Sequence, residues 1–453
     1  MIYAILKILS KLTIFGYFRK WSVTGKDVIP NNELVIFVAN HPSAFMDPIV
    51  VAASVNRPVH FLAAGEYVGK GIQGWFFQHV LHMIPIFRPS TRPRETHKNQ
   101  DSFKRCHEHL GKGGTLIIFP EGLSLTERKL KSLKTGTVRI AIGAEQEYGK
   151  RVAIVPVGLN YSDPHQFRSD LLIQIGEPFY LSEKFDPNKQ YNSEEIKTLT
   201  THLEERLRSL ILHLPTPGTE KVFEKLDAIF TRDLKNELNI SFDDQTSEFD
   251  MQKAFSDAII FFKADKPELF SIAINQMEEY ESDLIKNDLI DKDIAELKER
   301  LQYRRIWSFL LGAPFFLAGL IHNFVPYRAS GWLANKLSSD PTFSGSFSLA
   351  MGLGLFTIWY TIIAITAGLF VGWWALLYPV FMYATGIYAL IYRTAANQSK
   401  RRIRLRKLAN DKPEIIKNLS TKRETLISLF RGCQEDYLKA KSIESAESEE
   451  LVM

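Results

Sequence analysis

The sequence predicts an α/β fold with a mostly parallel sheet flanked by helices, then a helical insert and an apolar, membrane-type C-terminal region. Three observations carry this. Between residues 30 and 215, short β-rich apolar runs alternate with helical patterns. Residues 195–300 are highly charged and helical in pattern. From Pro341 to Tyr392, 52 residues pass without Asp, Glu, Lys, Arg or His.

The expected strands are Val35–Ala39, Val59–Ala63, Thr115–Phe119, Ala153–Gly158 and Leu171–Ile175, bounded by Gly, Pro or Asn. Ligand sites in such sheets lie beyond the carboxyl ends of strands. Two motifs occupy that position, Asn40-His41-Pro42 with Asp47 and Phe119-Pro120-Glu121-Gly122. Pro156 lacks an amide donor, so its strand is expected at an edge or a bulge, where it is a candidate for shaping an acyl channel.

The N-terminal stretch from Ile2 to Phe15 gathers Lys7, Ser10 and Lys11 on one helical stripe, with no small-residue cleavage site after it. It reads as an in-plane amphipathic helix; a core helix with a solvated edge is the alternative. Pro215-Thr216-Pro217-Gly218 marks a boundary before the insert, whose acidic and basic runs read as solvated helix faces. The charge-free stretch accommodates two crossings, near Phe347–Val371 and Trp373–Tyr392, with Trp373 and Trp374 at the turn. A buried soluble hairpin is the alternative. Ile306–Val325 is a third apolar run, flanked by Arg304-Arg305 and Arg328, that crosses or dips and returns. Arg393 and the basic run Lys400–Lys407 place the tail in the cytosol, which favours two full spans and a re-entrant segment. The Ser/Glu-rich end, with Glu444, Glu447, Glu449 and Glu450, is expected to be disordered. The division is thus 1–29 interfacial helix, 30–215 catalytic domain, 216–304 helical linker, 305–393 transmembrane region and 394–453 basic then acidic tail.

The net charge of +5 suits an anionic surface or an acidic substrate. Nucleic acid is not expected, because neither zinc-finger spacing nor an aromatic RNA-binding signature occurs. Two distant cysteines give no disulfide framework, and a cytosol-facing setting follows. No Gly-x-Ser-x-Gly elbow or Walker spacing is present. His79 with His82, and His107-Glu108-His109, lack a completing ligand set, so no metal is expected.

His41 is a candidate general base, with Asp47 to fix its tautomer and stabilise the cation; a structural pair is the alternative. The turn at Glu121-Gly122 and the basic residues Arg128, Lys129, Lys131 and Lys134 form a candidate phosphate cradle; a solvated basic loop is the alternative. Arg88 follows the apolar run Ile84–Phe87.

Four ordered blocks resemble the glycerophospholipid acyltransferases, those acting on glycerol 3-phosphate or 1-acyl-glycerol 3-phosphate. They are Asn40-His41 with Asp47, Phe87-Arg88, Phe119 to Gly122, and Pro156 in its apolar strand, within residues 20–210. The resemblance implies the acyltransferase-type fold and catalysis by His41 and Asp47. It also implies acceptor binding by Asn40, Arg88, Glu121, Gly122, Arg128 and Lys134, with Glu121 orienting a hydroxyl or a basic side chain. It implies transfer from acyl-CoA or acyl-carrier protein as cosubstrate, no cofactor or metal, a glycerophosphate or lysophospholipid acceptor, and a multi-pass membrane location with the catalytic domain on the cytoplasmic face. A non-catalytic lipid-binding protein on the same domain is the rival reading. Two departures stand out. Five residues separate His41 from Asp47 where the family has four, as in the His-Pro-x4-Asp-Pro branch that includes fungal glycerol-3-phosphate and dihydroxyacetone-phosphate acyltransferases. The third block continues Leu123-Ser124 rather than Thr-Arg, which leaves open the cation that contacts phosphate and makes Arg128 a candidate substitute.

Overall fold

A computed structural model describes residues 2–69, 71–88, 91–216, 218–297, 304–337 and 343–450. The chain divides into two compact units, residues 1–212 with 324–372, and residues 213–323 with 373–453.

The first unit is built on seven strands in the order β1-β7-β6-β2-β5-β3-β4. These are β1 (Lys20–Thr24), β2 (Leu34–Ala39), β3 (Val59–Ala64), β4 (Met83–Ile86), β5 (Thr115–Ile118), β6 (Val152–Tyr161) and β7 (Asp170–Ile175). All pairings are parallel except β6 with β7. The helices between them are α1 (Ile2–Tyr17), α2 (Met46–Ser54), α3 (Gly65–Val68), α4 (Gly71–His79), α5 (Asn99–Gly111), α6 (Gly136–Tyr148) and α7 (Ser193–Ser209).

Helices cover both faces of the sheet, as a parallel sheet requires. Strand residues alternate between the faces. Val35, Phe37 and Ala39 of β2 join the cluster with α1 and α2, through Ile14, Tyr17, Met46 and Val50. Leu34, Ile36 and Val38 join the other, with Cys106 of α5, Ile140 of α6 and Leu207 of α7. Each fully buried Val, Leu, Ile, Phe or Met among these contributes about 1.5–3 kcal/mol by burial. Local signals agree. An Asn192–Glu195 capping box starts α7, and Gly149, at φ +60°, ends α6.

The five expected strands are present, with two more at the sheet edges. β1 mixes Lys20, Ser22 and Thr24 with Trp21 and Val23, and all five are half-buried, so no apolar run announces it. β4 has four residues and contains Pro85, which an edge strand tolerates. Pro156, by contrast, lies in β6, inside the sheet. Its missing donor falls at an interruption instead. Ile154 pairs outside the ladder with Phe179, and the β6–β7 register starts only at Val157.

The second unit begins with α8 (Thr219–Glu237), α9 (Gln245–Asp265), α10 (Pro267–Lys286) and the short α11 (Asp291–Ala295). Then come α12 (Arg304–Leu337), whose last part belongs to the first unit, and α13 (Ser344–Val371), also of the first unit. A 3-10 turn, Gly372–Leu377, carries the stacked Trp373 and Trp374 and leads to α14 (Tyr378–Asp411) and α15 (Pro413–Glu450). Among the described residues, two segments are long and apolar enough to cross a membrane, Phe309–Leu337 and Ser344–Asp411.

Two expectations change. The third apolar run is not a re-entrant loop, because α12 continues through Pro314 without a break. The tail is helical in the structure, with α15 running to Glu450. Arg423 explains why α15 docks within its unit. It is buried, ion-paired to Asp233 of α8 and, at 2.8 Å, to Asp291 of α11, and Tyr280 also donates to Asp291. Pro89, Pro217 and Pro341 lie outside the described residues.

Candidate active site

The candidate site gathers at the carboxyl ends of β2, β4, β5 and β6. His41 follows β2, Arg88 follows β4, Phe119 to Gly122 follow β5, and Tyr161 ends β6. Asp47 sits in the first turn of α2, where the helix dipole favours a negative charge.

His41 and Asp47 meet. His41 Nδ1 lies 2.8 Å from Asp47 Oδ2. The side chain of His41 is 19% exposed and that of Asp47 is 0% exposed. A buried carboxylate is costly unless its oxygens are hydrogen-bonded. Here they are. Asp47 Oδ2 also accepts from the Ser43 amide at 2.8 Å, and Oδ1 accepts from the Tyr161 hydroxyl at 2.8 Å. Burial and the negative charge of Asp47 push the Tyr161 phenol well above its usual range, so it remains a donor. The Phe119 ring stacks on His41, with centroids 4.3 Å apart. With Nδ1 engaged, Nε2 is the nitrogen left to take a proton.

Glu121 is buried, and its two oxygens accept from the amides of His41 at 2.8 Å and Lys131 at 3.1 Å. It orders two loop backbones rather than a hydroxyl or a basic side chain. Burial raises its carboxyl above the usual range, against the pull of those two amides. Gly122 adopts φ +72°, and an added Cβ would stand 2.9 Å from Lys134 Nζ. Only glycine suits both conditions. Its amide turns back to the Phe119 carbonyl instead of outward, and its own carbonyl accepts from Arg88 Nη1 at 2.9 Å. Arg88, Gly122 and Lys134 therefore converge on one flank of His41.

Two expected binding residues hydrogen-bond to backbone groups of the β6 region. Both ends of the Asn40 amide engage Leu159: Nδ2 donates to its carbonyl at 3.1 Å, and Oδ1 accepts from its amide at 2.7 Å. Asn40 thus closes β2 onto β6. Arg128 donates to the Ser162 carbonyl at 2.9 Å, just past β6, on the opposite side of β2 from Arg88. The sequence reading missed Tyr161. Its parity with Val155, Val157 and Leu159 places it on the α2 face, but not beside Asp47. It also missed Ser124, whose hydroxyl accepts from the Ala44 amide at 2.7 Å.

His82 stacks on His60 and His109 packs tilted against it, with ring centroids 4.2 and 3.7 Å away.

Residues 20–160 match the Acyltransferase family model. This part of the chain is thus similar to acyltransferase domains. Among its relatives is glycerol-3-phosphate O-acyltransferase 1 of Saccharomyces cerevisiae, 28% identical over 140 residues, which are 30% of this chain and 18% of that protein. A chloroplastic 1-acyl-sn-glycerol-3-phosphate acyltransferase of Arabidopsis thaliana is 28% identical over 156 residues, 34% of this chain and 40% of that one. The chain thus spans less than half the length of these relatives. A solved 1-acyl-sn-glycerophosphate acyltransferase from Thermotoga maritima aligns with 45% of this chain and 78% of its own, at 23% identity and a TM-score of 0.32.

Proposed function

We propose that this protein is a membrane-bound O-acyltransferase that moves a fatty acyl group from a thioester, acyl-CoA or acyl-carrier protein, to glycerol 3-phosphate or 1-acyl-glycerol 3-phosphate. The observation that carries the reading is the 2.8 Å contact between His41 Nδ1 and the fully buried Asp47. A carboxylate so placed holds the ring with Nε2 ready and stabilises the imidazolium that forms. The acceptor hydroxyl gives its proton to Nε2 as its oxygen bonds to the thioester carbon. The carbon–sulfur bond then breaks, and the imidazolium proton passes to the leaving thiolate. Arg88 and Lys134 supply the positive charge for the acceptor phosphate, and Gly122 keeps the space between them open. Asn40, Glu121 and Tyr161 hold the frame.

The membrane reading draws on each unit separately. On α1, Ile5, Ile8, Leu12 and Phe15 form an exposed apolar stripe, while Lys7 reaches the Val55 carbonyl. That stripe suits an interfacial helix. In the second unit, the Arg423 ion pairs fasten α15 to α8 and α11, so insert and tail share one face of a bilayer. Crossings between residues 297 and 400 are then even in number. We assign them to α13 and α14, joined by the Trp373–Trp374 turn, with α12 not completing a third. The basic residues after Tyr392 support a cytosolic assignment for that shared face.

The test offers purified protein palmitoyl-CoA with glycerol 3-phosphate or lysophosphatidate separately. Acylation of one acceptor, lost in His41→Ala, is expected. Equal transfer by the variant would remove His41 from the reaction, and no transfer with any thioester would leave a lipid-binding protein.

A further inference from the structure

The two departures in the motifs meet at one place. The extra residue between His41 and Asp47 is absorbed at Ala44, whose φ of +34° is a conformation non-glycine residues seldom adopt. Such a bend persists only where its surroundings hold it. One support is Ser124, the residue that replaces the family's arginine, through its 2.7 Å bond from the Ala44 amide. The Leu125 amide and the Thr126 hydroxyl add bonds to the carbonyls of His41 and Pro42, at 3.2 and 3.0 Å.

The other support comes from 303 residues away. Ser346 Oγ, in the first turn of α13, donates to the Ser43 carbonyl at 2.6 Å and lies 3.2 Å from Ser43 Oγ. Both serines are 0% exposed. The Ser43 amide is the one that donates to Asp47 Oδ2. The seat around this contact is close. An added Cβ on Gly345 would stand 2.0 Å from the Pro164 carbonyl oxygen, Phe347 meets Phe45 edge-on at 5.7 Å, and Leu349 is buried in the core cluster that contains Met46. The start of an apolar helix is thus a structural part of the catalytic loop.

We propose that Ser346 is a positioning residue for acyl transfer: through Ser43 it holds Asp47, and through Asp47 the His41 ring. The proposal rests on the acyltransferase reading and ties that chemistry to the C-terminal apolar helices. Small misplacements of reacting groups cost large factors in rate. In the full-length protein, Ser346→Ala is expected to lower kcat about tenfold to a hundredfold with KM for both substrates nearly unchanged. It is also expected to speed hydrogen–deuterium exchange in residues 42–47, leaving β2 unaffected. Ser346→Cys, similar in volume with a weaker donor, is expected to fall between, and it keeps the question open to measurement where the alanine variant loses its melting transition. Thr357→Ala removes only an in-helix bond to the Leu353 carbonyl farther along α13 and is expected to change neither readout. Unchanged exchange at 42–47, unchanged kcat, or an equal effect from Thr357→Ala would each overturn the proposal. If the wild-type protein transfers no acyl group, the acyltransferase reading fails, and the exchange measurement still decides whether Ser346 orders the loop.

Discussion

Two histidines of the same sheet face opposite fates. His41 stands past the carboxyl end of β2, with Asp47 on Nδ1 and part of its ring open to solvent. His60 stands at the start of β3, at the other end of the parallel sheet, with the ring of His82 stacked on it and that of His109 tilted against it. Tyr3 stacks on the far face of His82, and Arg105 and Lys112 add positive charge around the group. Among the described residues, the Nδ1 atoms of His60 and His82 are buried without a hydrogen-bond partner. Burial, then the neighbouring imidazoles, lower His60 to about 3. The same side chain is the proposed base where a buried carboxylate completes it and a packing ring where only other imidazoles surround it.

The comparison breaks most visibly at His41. His41→Ala should lose roughly 10²–10⁴-fold in turnover with little change in melting temperature, whereas His60→Leu should leave turnover nearly intact. Steady-state assays on both variants, each with a thermal melt, test the division, and a reversal would exchange their roles. Next in size is Arg88→Ala. Losing a charge-assisted contact should raise KM for the phosphate-bearing acceptor by roughly tenfold or more, while KM for the acyl donor holds. A rise for the donor alone would move Arg88 to the other substrate. Tyr161→Phe removes one donor from Asp47. A hydrogen bond to a charged group contributes about 1.5–3 kcal/mol, so kcat should fall by roughly tenfold and stability should decline with it. A fully active variant would show that His41 and Ser43 suffice to hold the carboxylate.

The smallest effect concerns pH. His60 binds its proton less readily folded than unfolded, so the unfolded chain takes up more protons between its ordinary value of 6.5 and about 3. Stability should therefore fall as pH drops through that window and level off below it. His82 and His109 are lowered too and act in the same direction. Melting temperatures from pH 7 to pH 4 should slope less in His60→Leu; an unchanged slope would assign the acid sensitivity to other groups.

How much of this was legible beforehand depends on the residue. β2, β5 and β6 are continuous apolar runs because both sheet faces are covered, so the core of the sheet could be read directly. β1 mixes polar and apolar residues and β4 is four residues long with Pro85 inside its apolar run, so neither edge strand was announced. His41, Asp47 and Glu121 were marked by their positions after strands, but Glu121 could not be seen to serve two backbone amides. Asn40 and Arg128 were named for chemistry that their type allows, and their neighbours took those atoms for Leu159 and Ser162.

The sequence alone determined the alternation of strands and helices, the apolar stretch and the pairing of His41 with Asp47 as a candidate site, because hydrophobic period and local motif are written within a few residues. Tertiary structure alone decided that Tyr161 and Ser346, 114 and 303 positions from Asp47 and Ser43, complete the site. A hydrogen bond depends on where two atoms end after the whole chain has packed, and residue order does not encode that distance locally.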